Sequence, residues 1–259
     1  MMSNINFNIE NGVGIITLNR PDKFNSFIRQ MALDLQARLD ECEKNSEVRA
    51  IYLTAEGKAF CAGQDLAEAI DPNQTELTKI VEEHYNPIIE RIRNIEKPIV
   101  CAVNGVAAGA GANIALACDI TLAAKSASFI QAFSKIGLIP DSGGTYYLPR
   151  LIGLQKAAAL MFLGDKIMAE DAEKMGMIYK AVADENLQAE ALTIASTLAK
   201  MPTKGIGLTK RLLNASFNNT LTNQLAMENE IQNIAGNTYD YKEGVNAFLE
   251  KRKPAFKGE

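Results

Sequence analysis

A single carboxylate stands in an otherwise uncharged turn, Asp141 in Gly137-Leu-Ile-Pro-Asp141-Ser-Gly-Gly-Thr-Tyr146. Pro140 before it and Gly143 and Gly144 after it favour a sharp bend, because glycine takes backbone angles that other residues avoid. Two Gly/Ala-rich turns lie upstream, Phe60-Cys-Ala-Gly-Gln-Asp65 and Asn104-Gly-Val-Ala-Ala-Gly-Ala-Gly-Ala-Asn113. Their short side chains leave backbone N–H groups open to a ligand. Two N–H donors and one isolated carboxylate are the groups needed to move a proton next to a carbonyl. On residues alone, each turn could equally serve tight strand–helix packing, and Asp141 could cap the helix that begins near Gly143.

The elements that must carry these turns follow from the hydrophobic pattern. Ile5-Asn-Phe-Asn-Ile9 alternates, and Val13-Gly-Ile-Ile-Thr-Leu-Asn19 follows an Asn11-Gly12 turn, which predicts a β-hairpin. Ser26 is the expected N-cap of a helix that carries Met31, Leu33, Leu35 and Leu39 inward and ends at Lys44. Ala50-Ile-Tyr-Leu-Thr54 and Ile99-Val-Cys-Ala-Val103 are short buried strands ending at the first and second turns, and Asp65 opens a helical stretch. A helix is expected from Leu77 to Ile95, stopped by Lys97-Pro98, and another of small residues from Ala110 to Ala117. Ile120-Thr-Leu-Ala123 and Ser128-Phe-Ile-Gln131 are two more strands. Strand, turn and helix recur with the turn chemistry at the strand's C-terminal end, which argues for ββα units in an α/β layout. From Asp184 onward the pattern is helical: 187–199, 202–213, 221–234 and 239–251. The expected division is a core over residues 1–200 and a helical region over 201–259.

Bulk properties exclude several classes. The chain has 259 residues, 47% hydrophobic and 22% charged, enough for one large core. With 27 basic against 31 acidic residues its net charge is −4, so no basic field exists to hold nucleic acid. Cys42, Cys61, Cys101 and Cys118 form no CxxC pair, which predicts a reducing, cytoplasmic setting and no zinc site. The opening residues show no basic stretch followed by an apolar run, so no signal peptide is expected. Residues 98–117 are largely apolar with a GxxxG pair, but Asn104, Asn113 and the glycine-rich centre favour a buried strand–turn–helix over a membrane span. Gly109-x-Gly111 lacks the third dinucleotide-site glycine, since Ile114 stands there. With His84 as the only histidine, neither a serine triad nor a histidine-rich metal site is expected, and His84 reads as a packed or solvated residue.

Taken together and in order, residues 60–65, 102–111, Ala117-Cys-Asp119 and 137–145 resemble the crotonase (enoyl-CoA hydratase/isomerase) superfamily. Asn19-Arg-Pro-Asp-Lys23, Ala169-Glu-Asp-Ala-Glu-Lys-Met-Gly-Met177 and residues 241–256 fit the same pattern, so the likeness spans essentially the whole chain. The resemblance implies an α/β, crotonase-like spiral of ββα units with a helical C-terminal region used for trimerisation, and trimers often paired into hexamers. It implies an acyl-CoA thioester as substrate, with coenzyme A part of that substrate and no separate cofactor. The thioester oxygen would sit between the backbone N–H groups of Gln64 and Ala110. Each such donor is worth about 2.7–4 kcal/mol to a developing enolate, by analogy with other oxyanion holes. Lys23, Ala62, Gln64, Asp65 and Leu66 map to the coenzyme A side, with Arg20 flanking it. A second basic cluster, Lys251-Arg-Lys253 with Lys257, could reach a neighbouring subunit's ligand.

Hydratases of this superfamily hold the attacking water with two glutamates. Here those positions carry Asn113 and Phe133, neither of which can act as a base, so water addition is not expected. Asn113, Phe133 and Tyr146 are the expected acyl-pocket residues, with the pocket's shape set by the 70–85 stretch and by Tyr147. Asp141 falls where isomerase-type relatives keep one acid, which makes it the expected catalytic residue. Residues 107–112, 136–141, 205–210 and 239–244 resemble the branch that converts ring-1,2-epoxyphenylacetyl-CoA to oxepin-CoA. The rival expectations are a straight-chain Δ3,Δ2-enoyl-CoA isomerase, a hydratase-like enzyme, and an acyl-CoA-binding scaffold subunit without chemistry.

Overall fold

The computed structural model describes residues 3–70 and 76–259. Strands β1 (Ile5–Glu10) and β2 (Val13–Leu18) form the expected hairpin. Asn11 and Gly12 turn it at φ 50° and 81°, the left-handed pair a two-residue hairpin loop needs. Helix α1 (Arg29–Lys44) follows, then β3 (Ala50–Ala55), β4 (Ala59–Cys61) and the short α2 (Leu66–Ala69). After α3 (Leu77–Lys79) the chain runs through a widened turn, Ile80–Tyr85, into α4 (Asn86–Asn94). The next units are β5 (Ile99–Val103), β6 (Val106–Ala108) and α5 (Ala110–Ala117), then β7 (Ile120–Ala124), β8 (Ser128–Ile130) and α6 (Gly144–Ile152).

Each repeat gives one strand to each of two sheets. The larger sheet has the order β1-β2-β3-β5-β7-β10, parallel from β2 onward, with β10 at Lys180–Val182. The smaller sheet has the order β4-β6-β8-β9, with β9 (Lys166–Met168) antiparallel at its edge. Strands β3 and β5 are buried along their whole length, and Ile-Val-Cys-Ala-Val reads as an unbroken apolar run because both faces are covered. Helices α7 (Leu154–Leu163), α8 (Ala169–Lys174) and α9 (Leu187–Leu198) lead to the C-terminal helices α10 (Thr203–Ser216), α11 (Leu221–Gly236) and α12 (Tyr239–Leu249).

Two local expectations are corrected. Helix α1 starts at Arg29, not after Ser26, and its cap is remote: the Arg29 N–H donates to Glu68 Oε1 at 2.8 Å. Ser26 instead accepts from the Arg20 guanidinium. The 77–95 stretch is not one regular helix. Pro87 has no N–H to give, and the preceding turn widens so that the Asn86 N–H reaches back to the Val81 carbonyl. Gln36 Nε2 on α1 takes the Glu83 and His84 carbonyls at 2.8 and 3.1 Å.

A charged knot fastens α10 to the core. Asp119 Oδ2 accepts from Lys210 Nζ at 2.8 Å, its Oδ1 accepts from Arg93 at 3.1 Å, and the Ile99 N–H donates to Oδ2 at 2.9 Å. Lys210 is buried, which lowers its pKa, while Asp119 pulls it back up. At the C-terminus the Asp240 carboxylate accepts from the Lys257 and Gly258 N–H groups, and Arg49 donates to the Phe256 carbonyl. All four cysteines are free and buried, and burial raises the Cys42 and Cys61 thiols to about 12. Among the described residues no helix is long and apolar enough to cross a membrane.

Candidate active site

The three turns of the sequence meet at one cavity of ≈250 Å³. Ala62, Gly63, Gln64 and Leu66 form one wall, Gly109 and Ala110 a second, and Ala132, Phe133, Leu138 and Asp141 a third. The meeting depends on bare backbone. Gly111 packs α5 so closely on β4 that a methyl there would sit 2.5 Å from the Cys61 carbonyl oxygen. Gly63, at φ 89°, lies against the second turn, where a methyl would fall 3.7 Å from the Ala110 nitrogen. The Phe27 N–H donates to the Gly63 carbonyl at 2.7 Å and the Asp65 N–H to the Phe27 carbonyl at 2.8 Å, which fixes Gln64 between them. Among the described residues neither the Gln64 nor the Ala110 N–H donates to another protein group. Ala110 is the first residue of α5, where the helix's positive end favours a developing negative charge.

Among the described residues lining this cavity, Asp141 is the one carboxylate. Burial pushes its carboxyl above the usual carboxylate range, and the Ser142 hydroxyl, donating to Oδ1 at 2.8 Å, only partly offsets this. Its side chain does not cap α6. The left-handed residues Ser142 (φ 51°) and Gly143 (φ 71°) stand between it and the helix, and the Asp141 backbone carbonyl accepts the Gly144 N–H at 2.8 Å. A non-glycine residue in this conformation is strained, and Asp141 beside it lines the cavity.

The remaining sequence-derived residues divide. Phe133 lines the cavity, its ring close beneath Gly109. Asn113 does not line it: buried to 1% exposure, its amide lies beneath the Asp141 turn. Tyr146 points away, under the Arg150 guanidinium at 3.6 Å and beside Phe217, with Tyr147 packed edge-on. Asp65 caps α2 through the Ala67 N–H at 3.0 Å and pairs with Arg20 at 2.8 Å. Burial is the largest single influence and opposes its ionisation, but the Arg20 bond and charge together with the Ala67 and Glu68 N–H groups outweigh it and hold its carboxyl below the ordinary value. Lys23 is exposed on a short helical turn outside the cavity. In the C-terminal basic cluster, Arg252 is engaged by Glu243 and Glu250, and Lys257 sits over the Tyr239 ring.

Of the other lining residues, those from the 70–85 stretch fall in the segment expected to shape the pocket, whereas Lys135 left no local signal in the sequence. Ile80, Tyr85 and Leu77 come from the 70–85 stretch, of which residues 71–75 lie outside the described residues, and Lys135 and Ile136 come from the loop after β8. Tyr85 is buried, and its hydroxyl donates to Gln64 Oε1 at 2.8 Å. Burial first, then the nearby Cys61 thiol and Asp141 carboxylate, hold its phenol well above the ordinary value, so it stays neutral. His84 faces away, with Nε2 3.3 Å from Arg29, and burial lowers its pKa. Among the described residues no group of three or more His, Cys, Asp or Glu side chains could hold a metal ion.

The profile of the enoyl-CoA hydratase/isomerase family matches residues 8–259. The chain belongs to that family. This enoyl-CoA hydratase/isomerase family member is 48% identical over 261 aligned residues to the 1,2-epoxyphenylacetyl-CoA isomerase of Escherichia coli (strain K12), covering 100% of both chains. It is 42% identical to a Rhodobacter capsulatus protein named "Probable enoyl-CoA hydratase", covering 98% of each. The crystal structure of an enoyl-CoA hydratase from Bacillus anthracis matches it with a TM-score of 0.92 at 33% identity, over 99% of this chain and 100% of the other. Its fold is accordingly the crotonase fold, a ββα spiral followed by a helical C-terminal region.

Proposed function

We propose that the protein is an acyl-CoA isomerase that moves a proton through a thioester enolate, with ring-1,2-epoxyphenylacetyl-CoA as substrate and oxepin-CoA as product. The Asp141 carboxylate removes a proton from the CH₂ beside the thioester. The C–H electron pair moves onto the thioester oxygen, which the Gln64 and Ala110 N–H groups stabilise. The arene epoxide expands to the seven-membered oxepin as the C–C bond between its two epoxide carbons breaks, and the carboxylic acid so formed returns the proton to a ring carbon, so substrate and product are isomers and no water is consumed. Coenzyme A belongs to the substrate, and no other cofactor takes part. Lys23 and the Ala62 to Leu66 turn form its docking side.

The observation that carries the reading is a half-buried carboxylate, the one among the described lining residues, on the same small cavity as two N–H donors without protein partners. Where a water-adding enzyme needs a second carboxylate, this chain has a buried amide outside the cavity and an aromatic ring on its wall. The 48% identity to an epoxyphenylacetyl-CoA isomerase supports the choice of acyl group.

We further propose that the C-terminal helices build a trimer, alone or paired into a hexamer. Phe248 is 83% exposed, and Leu221, Leu225 and Leu249 are also open, an apolar surface that association would cover.

The test is incubation in heavy water with the phenylacetyl epoxide thioester, a 3-enoyl-CoA and a 2-enoyl-CoA, followed by mass spectrometry. Isomerisation of the epoxide is expected, with deuterium entering the product at the reprotonated ring carbon and the recovered substrate at the α-carbon. Fastest turnover of the 3-enoyl chain would assign the straight-chain isomerase instead, and hydration of the 2-enoyl chain would overturn the single-acid mechanism. Absence of exchange on every thioester would leave a binding protein.

A further inference from the structure

We propose that Asn113 is a positioning residue that sets the separation and orientation of the Ala110 N–H donor and the Asp141 carboxylate. The inference rests on the isomerase reading above and extends it to a group that touches no substrate.

Ala110 and Asn113 lie three residues apart at the start of α5, so one helical turn joins the donor to the amide. Asn113 Nδ2 donates to the Asp141 backbone carbonyl at 2.8 Å, and Gln131 Nε2 donates to Asn113 Oδ1 at 2.8 Å. The Asp141 carbonyl can only accept, which fixes the Asn113 amide and leaves its oxygen to Gln131. Were the Asn113 amide flipped, its NH₂ would face the Gln131 NH₂ and its oxygen would face the Asp141 carbonyl. Both side chains are buried, Asn113 to 1% and Gln131 to 2% exposure, so water does not replace these bonds. The Asp141 carbonyl thus holds two donors, the Asn113 amide and the Gly144 N–H. Gly144 is required by the same contact, since any Cβ there would overlap the Asn113 amide.

The Asp141 side chain needs such support. Among the described residues its one side-chain partner is the adjacent Ser142 hydroxyl, and Ser142 itself holds a strained left-handed conformation. With no distant group gripping the carboxylate, its aim is set by its own peptide. The peptide is set by Asn113, on the helix that also carries the oxyanion donor. One side chain therefore serves as the gauge between donor and acid.

The probe is phenylacetyl-CoA in heavy water, reading α-deuterium incorporation, with half-saturation and thermal melting measured alongside. Asn113→Leu keeps the branched four-atom outline of the side chain and removes the clamp. Its exchange rate at saturation is expected to fall about 10- to 100-fold, the scale of an ångström-level misplacement, while half-saturation stays within about threefold. Gln131→Leu, which leaves Asn113 in place but frees its amide, should give a smaller fall of the same kind. The double variant should be no slower than Asn113→Leu alone. Wild-type exchange in folded Asn113→Leu, or losses that multiply independently in the double variant, would overturn the proposal. If Asn113→Leu does not fold, Gln131→Leu decides: slowed exchange at unchanged half-saturation supports the clamp, and wild-type exchange removes it. Asp141→Asn is the control. Exchange persisting there sinks the isomerase reading itself, whereas a silent Asp141→Asn beside a normal Asn113→Leu sinks the clamp alone.

Discussion

Asp141 trades stability for reactivity. Burial raises its folded-state pKa above that of the unfolded chain, so the folded protein holds this proton more tightly. Between the two values, stability falls as pH rises, and at neutral pH the ionised carboxylate is a cost to the fold. Asp141→Asn keeps the acceptor for the Ser142 hydroxyl and removes the buried charge. Turnover is expected to fall by about 10²–10⁴ while the melting temperature rises slightly at pH 7. The rise should vanish in acid, below the ordinary carboxylate range, where both proteins are neutral at this position. Melting curves across pH check this, and a variant less stable than wild type at pH 7 would contradict it. The acid limb of wild-type activity should likewise lie above the ordinary carboxylate range.

At this scale the sequence is informative where chemistry is local. Gln64, Ala110 and Asp141 lie in turns whose glycines and proline mark them, so their gathering at one cavity was legible. Tyr146 was not, although it lies five residues from Asp141. Once α6 begins, side chains four apart share a face, and Tyr146 is drawn under Arg150 rather than into the cavity.

Among the elements, α5 is packed with little tolerance. Its small residues read from sequence as a packing helix. The contact of Gly111 with Cys61 is long-range and left no mark beyond a glycine. Gly111→Val is expected to cost about 1–3 kcal/mol as overpacking. By pushing α5 off β4 it should also slow turnover about 10²-fold, because the Ala110 N–H moves with the helix. Urea unfolding and turnover measure the two effects separately. Wild-type activity in the folded variant would show that α5 is not held by this contact. The start of α1 makes the complementary point. Ser26 is a sound local cap, but Glu68, 39 residues away from Arg29, supplies the bond, and no window of sequence reveals such a partner.

For the molecule as a whole, the question is how the C-terminal helices are held to the spiral. Part of the answer is the Asp119 knot, where Lys210 and Arg93 converge on one carboxylate that also receives the Ile99 N–H. Lys210→Met leaves Asp119 one cation short in a largely dry setting, at an expected cost of about 3 kcal/mol. That loss should appear as a lower urea midpoint with α-deuterium exchange intact in the folded fraction. A midpoint equal to wild type would show that Arg93 alone suffices. The sequence placed the helices beyond residue 200 well, since their apolar spacing is regular. It could not place this knot, whose members come from α4, the start of β7 and α10.

The four buried thiols carry a practical corollary. A maleimide or spin label offered to the native molecule meets Cys42, Cys61 and Cys101 fully buried and Cys118 only 7% exposed, so a cysteine introduced on the surface would be tagged far faster than any of the native four. Distances between such tags, or between one tag and a labelled ligand, could then be followed in an otherwise unaltered chain.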